Sequence, residues 1–84
     1  MSIPLAMKAA RELLDARRPK LRCNMFNYTV EVLHGDHSHF IFQYATCRKQ
    51  KIQGHNMLLV WTEHCGYHAF FIEDLEFWRK YTCV

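Results

Sequence analysis

Asn56-Met-Leu-Leu-Val-Trp-Thr-Glu-His-Cys-Gly-Tyr-His-Ala-Phe-Phe-Ile72 is the most apolar part of this 84-residue chain, and its reading decides the fold. Two strand-like runs, about Met57 to His64 and about Tyr67 to Ile72, flank Cys65-Gly66, and a two-residue loop with Gly is the tightest way to reverse a strand. With His64 opposite Tyr67, the hairpin pairs Glu63 with His68, Trp61 with Phe70 and Leu59 with Ile72 on one face, and Val60 with Phe71 on the other. Both faces are apolar, so at least one of these strands is expected inside the sheet or covered on both sides.

Upstream, from Asn24 to Leu33, Phe26, Tyr28, Val30 and Val32 alternate with Asn27, Thr29 and Glu31, the pattern of a half-buried strand. His39 to Cys47 repeats the alternation with Phe40, Phe42 and Tyr44. Between them, His34-Gly35-Asp36-His37-Ser38 has the composition of a hairpin loop. Facing Val32 with Phe40, Val30 with Phe42 and Tyr28 with Tyr44 puts every aromatic on one face, an agreement that a one-residue slip would destroy. Arg48 to His55, polar, basic and holding Gly54, reads as a loop leading into the third strand.

Helices are expected at both ends. Ile3, Met7, Ala10, Leu13 and Leu14 recur at helical spacing behind a Ser2 cap, with Lys8, Arg11, Glu12 and Asp15 opposite them. Pro4 is tolerated in the first turn, and Pro19 ends the helix. Glu73 and Asp74 open a last helix with Leu75, Trp78 and Tyr81 or Thr82 facing inward and Arg79 and Lys80 near its end, acid first and base last as the helix dipole favours. The predicted fold is α+β, a single domain over residues 1–84: a four-stranded antiparallel meander flanked by an N-terminal and a C-terminal helix (α-β-β-β-β-α), both on one face.

Composition sets the outer bounds. Half the residues are hydrophobic and 14% aromatic, too rich in core material for a disordered chain. A chain of this length buries only roughly two thirds of its unfolded surface, which leaves little room for a deep cleft. The net charge of +3 is unevenly spread, with nine Lys/Arg against four Asp/Glu in residues 1–51 and two against four in residues 52–84. No apolar run approaches the roughly 18 residues of a membrane span, and the start lacks the pattern of a secretory leader, so a cytoplasmic protein with no membrane partner is expected. Cys23, Cys47, Cys65 and Cys83 form no C-x-x-C pair, and free thiols are the first reading, a disulfide scaffold the second.

An up-and-down meander puts alternate connections at opposite ends of the sheet, so two poles are expected. One collects His34, His37, His39, His64, Cys65 and His68. The other collects Arg17, Arg18, Lys20, Arg22, Arg48, Lys49 and Lys51. At the first, His37, His39, Cys65 and His68 are candidate zinc ligands, because imidazole and thiolate suit that ion. Unliganded imidazoles at hairpin ends are the plainer reading, since no spacing matches an established zinc module. An enzyme would use Cys65 as nucleophile, His64 or His68 as base and Glu63 to orient the imidazole. The same Glu63 and His68 make an ordinary cross-strand pair, and no cofactor or catalytic motif is present, so a non-enzymatic protein is expected.

The basic pole has three readings. Cations at Arg17, Arg18, Lys20 and Arg22 complement the helix dipole and solvate a junction. Alternatively, the pole neutralises phosphates of a nucleic acid. The order helix, strands, helix is similar to that of the double-stranded RNA-binding domain, whose basic start to its last helix is replaced here by Glu73-Asp74-Leu75-Glu76. The reading placed first is a protein-binding module or inhibitor that meets acidic surfaces through Arg48, Lys49 and Lys51. Small size, aromatic richness and segregated charge also describe phage and mobile-element proteins that block a host nucleic-acid-processing complex, anti-restriction and anti-CRISPR proteins among them. Nucleic-acid binding ranks second and zinc binding third.

Overall fold

Ala6, Ala10 and Leu14, spaced four residues apart, are fully buried along one side of α1 (Ser2–Arg17). In the computed structural model, residues 2–18, 21, 25–64 and 66–82 are described. The helix stops two residues before Pro19, where the sequence places its end. The Ser2, Ile3 and Pro4 side chains, and Pro19, Lys20, Arg22, Cys23, Asn24, Cys65 and Cys83, lie outside the described residues.

After the helix come β1 (Tyr28–His34), β2 (His39–Ile52), β3 (His55–Thr62), β4 (Gly66–Phe71) and β5 (Leu75–Thr82), with a one-turn 3-10 helix at Ile72–Asp74 before β5. These strands form one antiparallel sheet in the order β4-β3-β2-β1-β5. The expected four strands between two helices are therefore corrected to one helix and five strands among the described residues. Residues 75–82 fail as a helix for a tertiary reason. Without them, one edge of β1 is left unpaired, whereas as a strand they set Trp78 against Val32 and Lys80 against Val30. Phe77, Trp78, Tyr81 and Thr82 also fit a pleated surface better than a helix. The topological similarity to the double-stranded RNA-binding domain goes with the second helix.

The sheet must curl. A flat five-stranded sheet holds its outer strands about 19 Å apart, yet Phe71 at the end of β4 and Leu75 at the start of β5 are four residues apart and span at most about 14 Å. The 3-10 turn is pinned against the first hairpin, where Gly35 N–H donates to the Asp74 carbonyl at 2.8 Å. A Cβ at Gly35 would stand 3.1 Å from that oxygen, so the site has no slack for a side chain.

Strand β2 makes the bend. Its first half pairs with β1 and its second half with β3, and Ala45 is paired with both Tyr28 and Thr62. Tyr44, just before that crossing, has φ 52, and the register shifts between Tyr28 and Val30. A bulge of this kind bends one strand away from its neighbour. Val32 opposite Phe40 and Val30 opposite Phe42 stand as expected, but the Tyr28–Tyr44 pair becomes Tyr28–Ala45 and Tyr44 swings outward.

Curling gives β3 two buried faces. Met57, Leu59 and Trp61 join Ala6, Ala10, Leu14, Phe26, Ile52 and Phe71 under the helix. Leu58 and Val60 join Val30, Val32 and Ala45 on the other side, against Phe42, Phe70, Leu75 and Trp78. The two-faced apolar reading of this strand is thereby realised.

Two turns differ from expectation. The loop expected over Arg48 to His55 shrinks to Gln53-Gly54, with Ile52 paired to His55. Both turn residues have positive φ, 52 and 80, the geometry of a primed two-residue hairpin whose twist matches its strands. The β3–β4 turn is longer than expected: Thr62 pairs with Gly66, so three residues reverse the chain and the expected cross-strand pairs are all displaced. Gly66 takes φ 82 and closes this turn. An added Cβ there meets nothing within 4 Å, so Gly66→Ala isolates the backbone penalty. A loss of about 1–2 kcal/mol in urea unfolding is expected, and an unchanged midpoint would contradict this turn.

Candidate functional site

The basic residues singled out by the sequence do not form one pole. Arg18 donates to the carbonyls of Gly66, Thr62 and Glu63 at 3.0, 2.9 and 3.4 Å, and so locks the end of α1 onto the β3–β4 turn. Lys51 pairs with Asn56 at the opposite end of β3, about 20 Å along the strand from Thr62. Arg17 is exposed at the helix end, and Lys20 and Arg22 lie outside the described residues. Arg48, Lys49 and Lys51 are all exposed on β2 but divide between its faces. Arg48 lies opposite Leu59 on the helix side, and Lys49 lies opposite Leu58 on the other, because paired residues share a face.

The structure adds a cation to that second face. Lys80 lies opposite Val30, with its ammonium 4.5 Å from the centre of the Tyr28 ring. The Cys47 thiol, pushed up in pKa by burial and down by the Lys80 charge, is free and belongs to the same side. Lys80 escaped the sequence reading because it was assigned to a helix. The available signal was the aromatic, β-branched character of residues 77–82.

The imidazoles do not gather at one pole either, although His64 and His68 line one groove. Because β2 meets β1 and β3 in successive halves, the first hairpin tip and the β3–β4 turn are separated by about 20 Å of strand. His37 is exposed at the tip, and His34 Nδ1 lies 3.5 Å from Asp36 Oδ1. His39 Nε2 is 2.7 Å from Glu31 Oε2, while the Arg79 Nε binds Glu31 Oε1 at 3.0 Å. His64 lies beside Glu63 at 3.9 Å, and His55 Nδ1 is 2.8 Å from Glu73 Oε1. The expected Glu63–His68 pair is replaced by His68 opposite Val60. Cys65 lies outside the described residues, and among those described no three His, Cys, Asp or Glu side chains are grouped to hold a metal ion.

What the sequence did not single out is the free edge of β4. Among the described residues this strand pairs with β3 alone, and the N-terminal half of β2 folds across it through ring contacts. Phe40 and Phe70 centres are 5.5 Å apart, Phe42 and Phe70 6.1 Å, and Phe42 and His68 4.6 Å. Two grooves of about 320 Å³ each meet at His68. One runs along the β4 edge between Met7 and Arg11 of α1 and Phe40 of β2. The other lies by Ile41, Phe42, Gln43, Thr62 and His64. Around them Phe40, Ile41 and Tyr44 stay 38, 55 and 55% exposed. The Tyr67 hydroxyl donates to Asp15 at 3.2 Å and ties the edge strand to the helix.

No protein-family model, curated protein or solved structure matches this chain. Among the described residues, no helix is long and apolar enough to cross a membrane.

His68 supplies a pH handle on this site. Desolvation against the aromatic cluster holds its pKa below that of an ordinary imidazole. A depressed imidazole pKa means the unfolded chain takes up its proton first, so the contribution is complete above about 6.5 and is lost as pH falls through the folded value. His68→Gln is expected to flatten the decline in unfolding free energy between pH 7 and 5. An identical decline in wild type and variant would contradict this placement.

Proposed function

We propose that the protein is a non-enzymatic protein-binding module acting in the cytoplasm, with the β4 edge and its aromatic surround as the contact surface. The observation that carries this reading is an unpaired strand edge beside exposed Phe40, Ile41 and Tyr44. Open backbone donors and acceptors next to apolar surface are what a partner strand or peptide uses. An inhibitor of the phage or mobile-element kind, blocking a host nucleic-acid-processing complex, is the finer form of the proposal. The small, aromatic, cationic chain supports it, with the second half of β2, Lys49 and Lys51 on one face and Arg48 on the other, as a second contact region.

Affinity capture from the native host tests the reading. The captured partner is expected to be lost from Phe40→Ser or from a variant with Arg48, Lys49 and Lys51 all changed to Glu. Retention by both variants would overturn both surfaces.

Nucleic-acid binding has one observation in its favour: Lys80 over Tyr28, with Lys49 on the same face. A cation beside an accessible ring is a usual element of single-strand recognition. Affinity for random nucleic acid that falls steeply with salt would support it, and no binding at low salt would remove it.

A further inference from the structure

We propose that the free edge of β4 takes an extended peptide as an added strand, one with apolar side chains at alternate positions and an acidic side chain set against Arg11. This inference rests on the protein-binding reading and specifies its mode and chemistry.

The two outer strands of the sheet are treated differently by the sequence. Soluble proteins guard an exposed edge with charge, Pro, or a bulge. β5 has such guards in Glu76, Arg79, Lys80 and a register shift where it pairs with β1. β4, Gly-Tyr-His-Ala-Phe-Phe, has no Lys, Arg, Asp, Glu or Pro, and its pairing with β3 runs without a break. In an antiparallel edge strand every second residue directs its N–H and C=O outward, here into the groove bounded by Met7, Arg11 and Phe40.

That groove also states what it accepts. Met7, Phe40 and Phe70 line it, so the side chains of an added strand meet apolar walls on either side of the backbone. Arg11 is the permanent cation in its lining, which includes no carboxylate among the described residues. Asp15, one turn along α1, keeps its charge but accepts from the Tyr67 hydroxyl and stands outside that lining. An acidic side chain on the peptide completes the pairing. A second copy of the chain fits less well. Its β5 edge would bring Arg79 and Lys80 against a single Glu76, its β4 edge would set Arg11 against Arg11, and each copy adds a net charge of +3.

The probe is a capped peptide, Thr-Val-Glu-Val-Phe-Val-Thr, followed by amide chemical shifts and hydrogen exchange of the full-length protein. Shifts and new protection are expected in β4. Replacing the central Val of the peptide by Pro, which removes a donor, is expected to weaken binding by about tenfold or more. Arg11→Glu is expected to weaken the Glu peptide and to favour a Lys peptide instead. Arg11 is exposed, so the folded state is retained in that variant. Equal affinity for the Pro peptide, shifts confined to other strands, or β4 protection already present in a peptide-free dimer would each overturn the proposal. Host capture separates the two levels. A partner held equally by wild type, Arg11→Glu and Phe40→Ser removes the β4 mode but leaves protein binding, whereas no captured partner removes the protein-binding reading and this inference with it.

Discussion

Trp61→Ala is expected to cost about 3–5 kcal/mol in urea unfolding, the range for truncating a large buried aromatic. Trp61 is only 2% exposed at the centre of the cluster under α1, and its indole Nε1–H donates to the Leu14 carbonyl at 2.9 Å. The substitution therefore opens a cavity and removes the partner of a carbonyl near the end of the helix. For a domain whose total stability is about 5–15 kcal/mol, that is a large fraction. Trp61→Phe separates the two effects, because it keeps most of the volume and loses the hydrogen bond; about 1–3 kcal/mol is expected. A loss below about 1 kcal/mol for Trp61→Ala would mean that α1 does not pack on β3 as described.

Leu58→Ala and Leu59→Ala, adjacent in β3, are each expected to cost about 2–5 kcal/mol. Neighbouring residues on a strand point to opposite faces. In an open sheet with a helix on one side only, one of the pair would be exposed and its truncation nearly neutral. Here Leu59 lies under the helix and Leu58 lies among Val30, Val32 and Trp78, both buried. Two comparable losses support the curled sheet; one loss beside a change under about 0.5 kcal/mol supports a flat one.

Much of the sheet was legible in local pattern. Val30, Val32, Phe40 and Phe42 carried enough alternation to set the register of the first hairpin, and the two-faced apolarity of Met57 to Thr62 announced an interior strand. The misses have separate causes. Glu73-Asp74 followed by Leu75 and Trp78 satisfies a helical start, and only the need of β1 for a second neighbour makes Leu75–Thr82 a strand. Arg48, Lys49 and Lys51 looked like a loop because β1 leaves β2 at Ala45, and the second half of β2, now an edge beside β3, keeps its polar side chains exposed while its backbone stays paired. Gly66 was recognised as a turn residue, but whether two or three residues precede the next pair depends on which of them takes positive φ.

The candidate site was less visible. Phe40, Phe42, His68 and Phe70 come from two strands that are not hydrogen-bonded to each other, and they meet because β2 bends at Tyr44. A bulge of one residue leaves only a faint mark on alternation. The expected poles dissolved for the same reason: a meander sorts its loops to two ends only when its strands overlap along their full length, and β1 and β3 use different halves of β2. Arg18, counted among candidate partner contacts, instead holds three backbone carbonyls of its own chain.

The pairing of β5 with β1 distinguishes this architecture most sharply from a helix-flanked meander. Nuclear Overhauser contacts across Val30–Lys80, Glu31–Arg79 and Val32–Trp78 test it directly. The account predicts these cross-strand contacts together with slow amide exchange in β1; helical contacts between residues three apart within Leu75–Thr82, with none to β1, would contradict it.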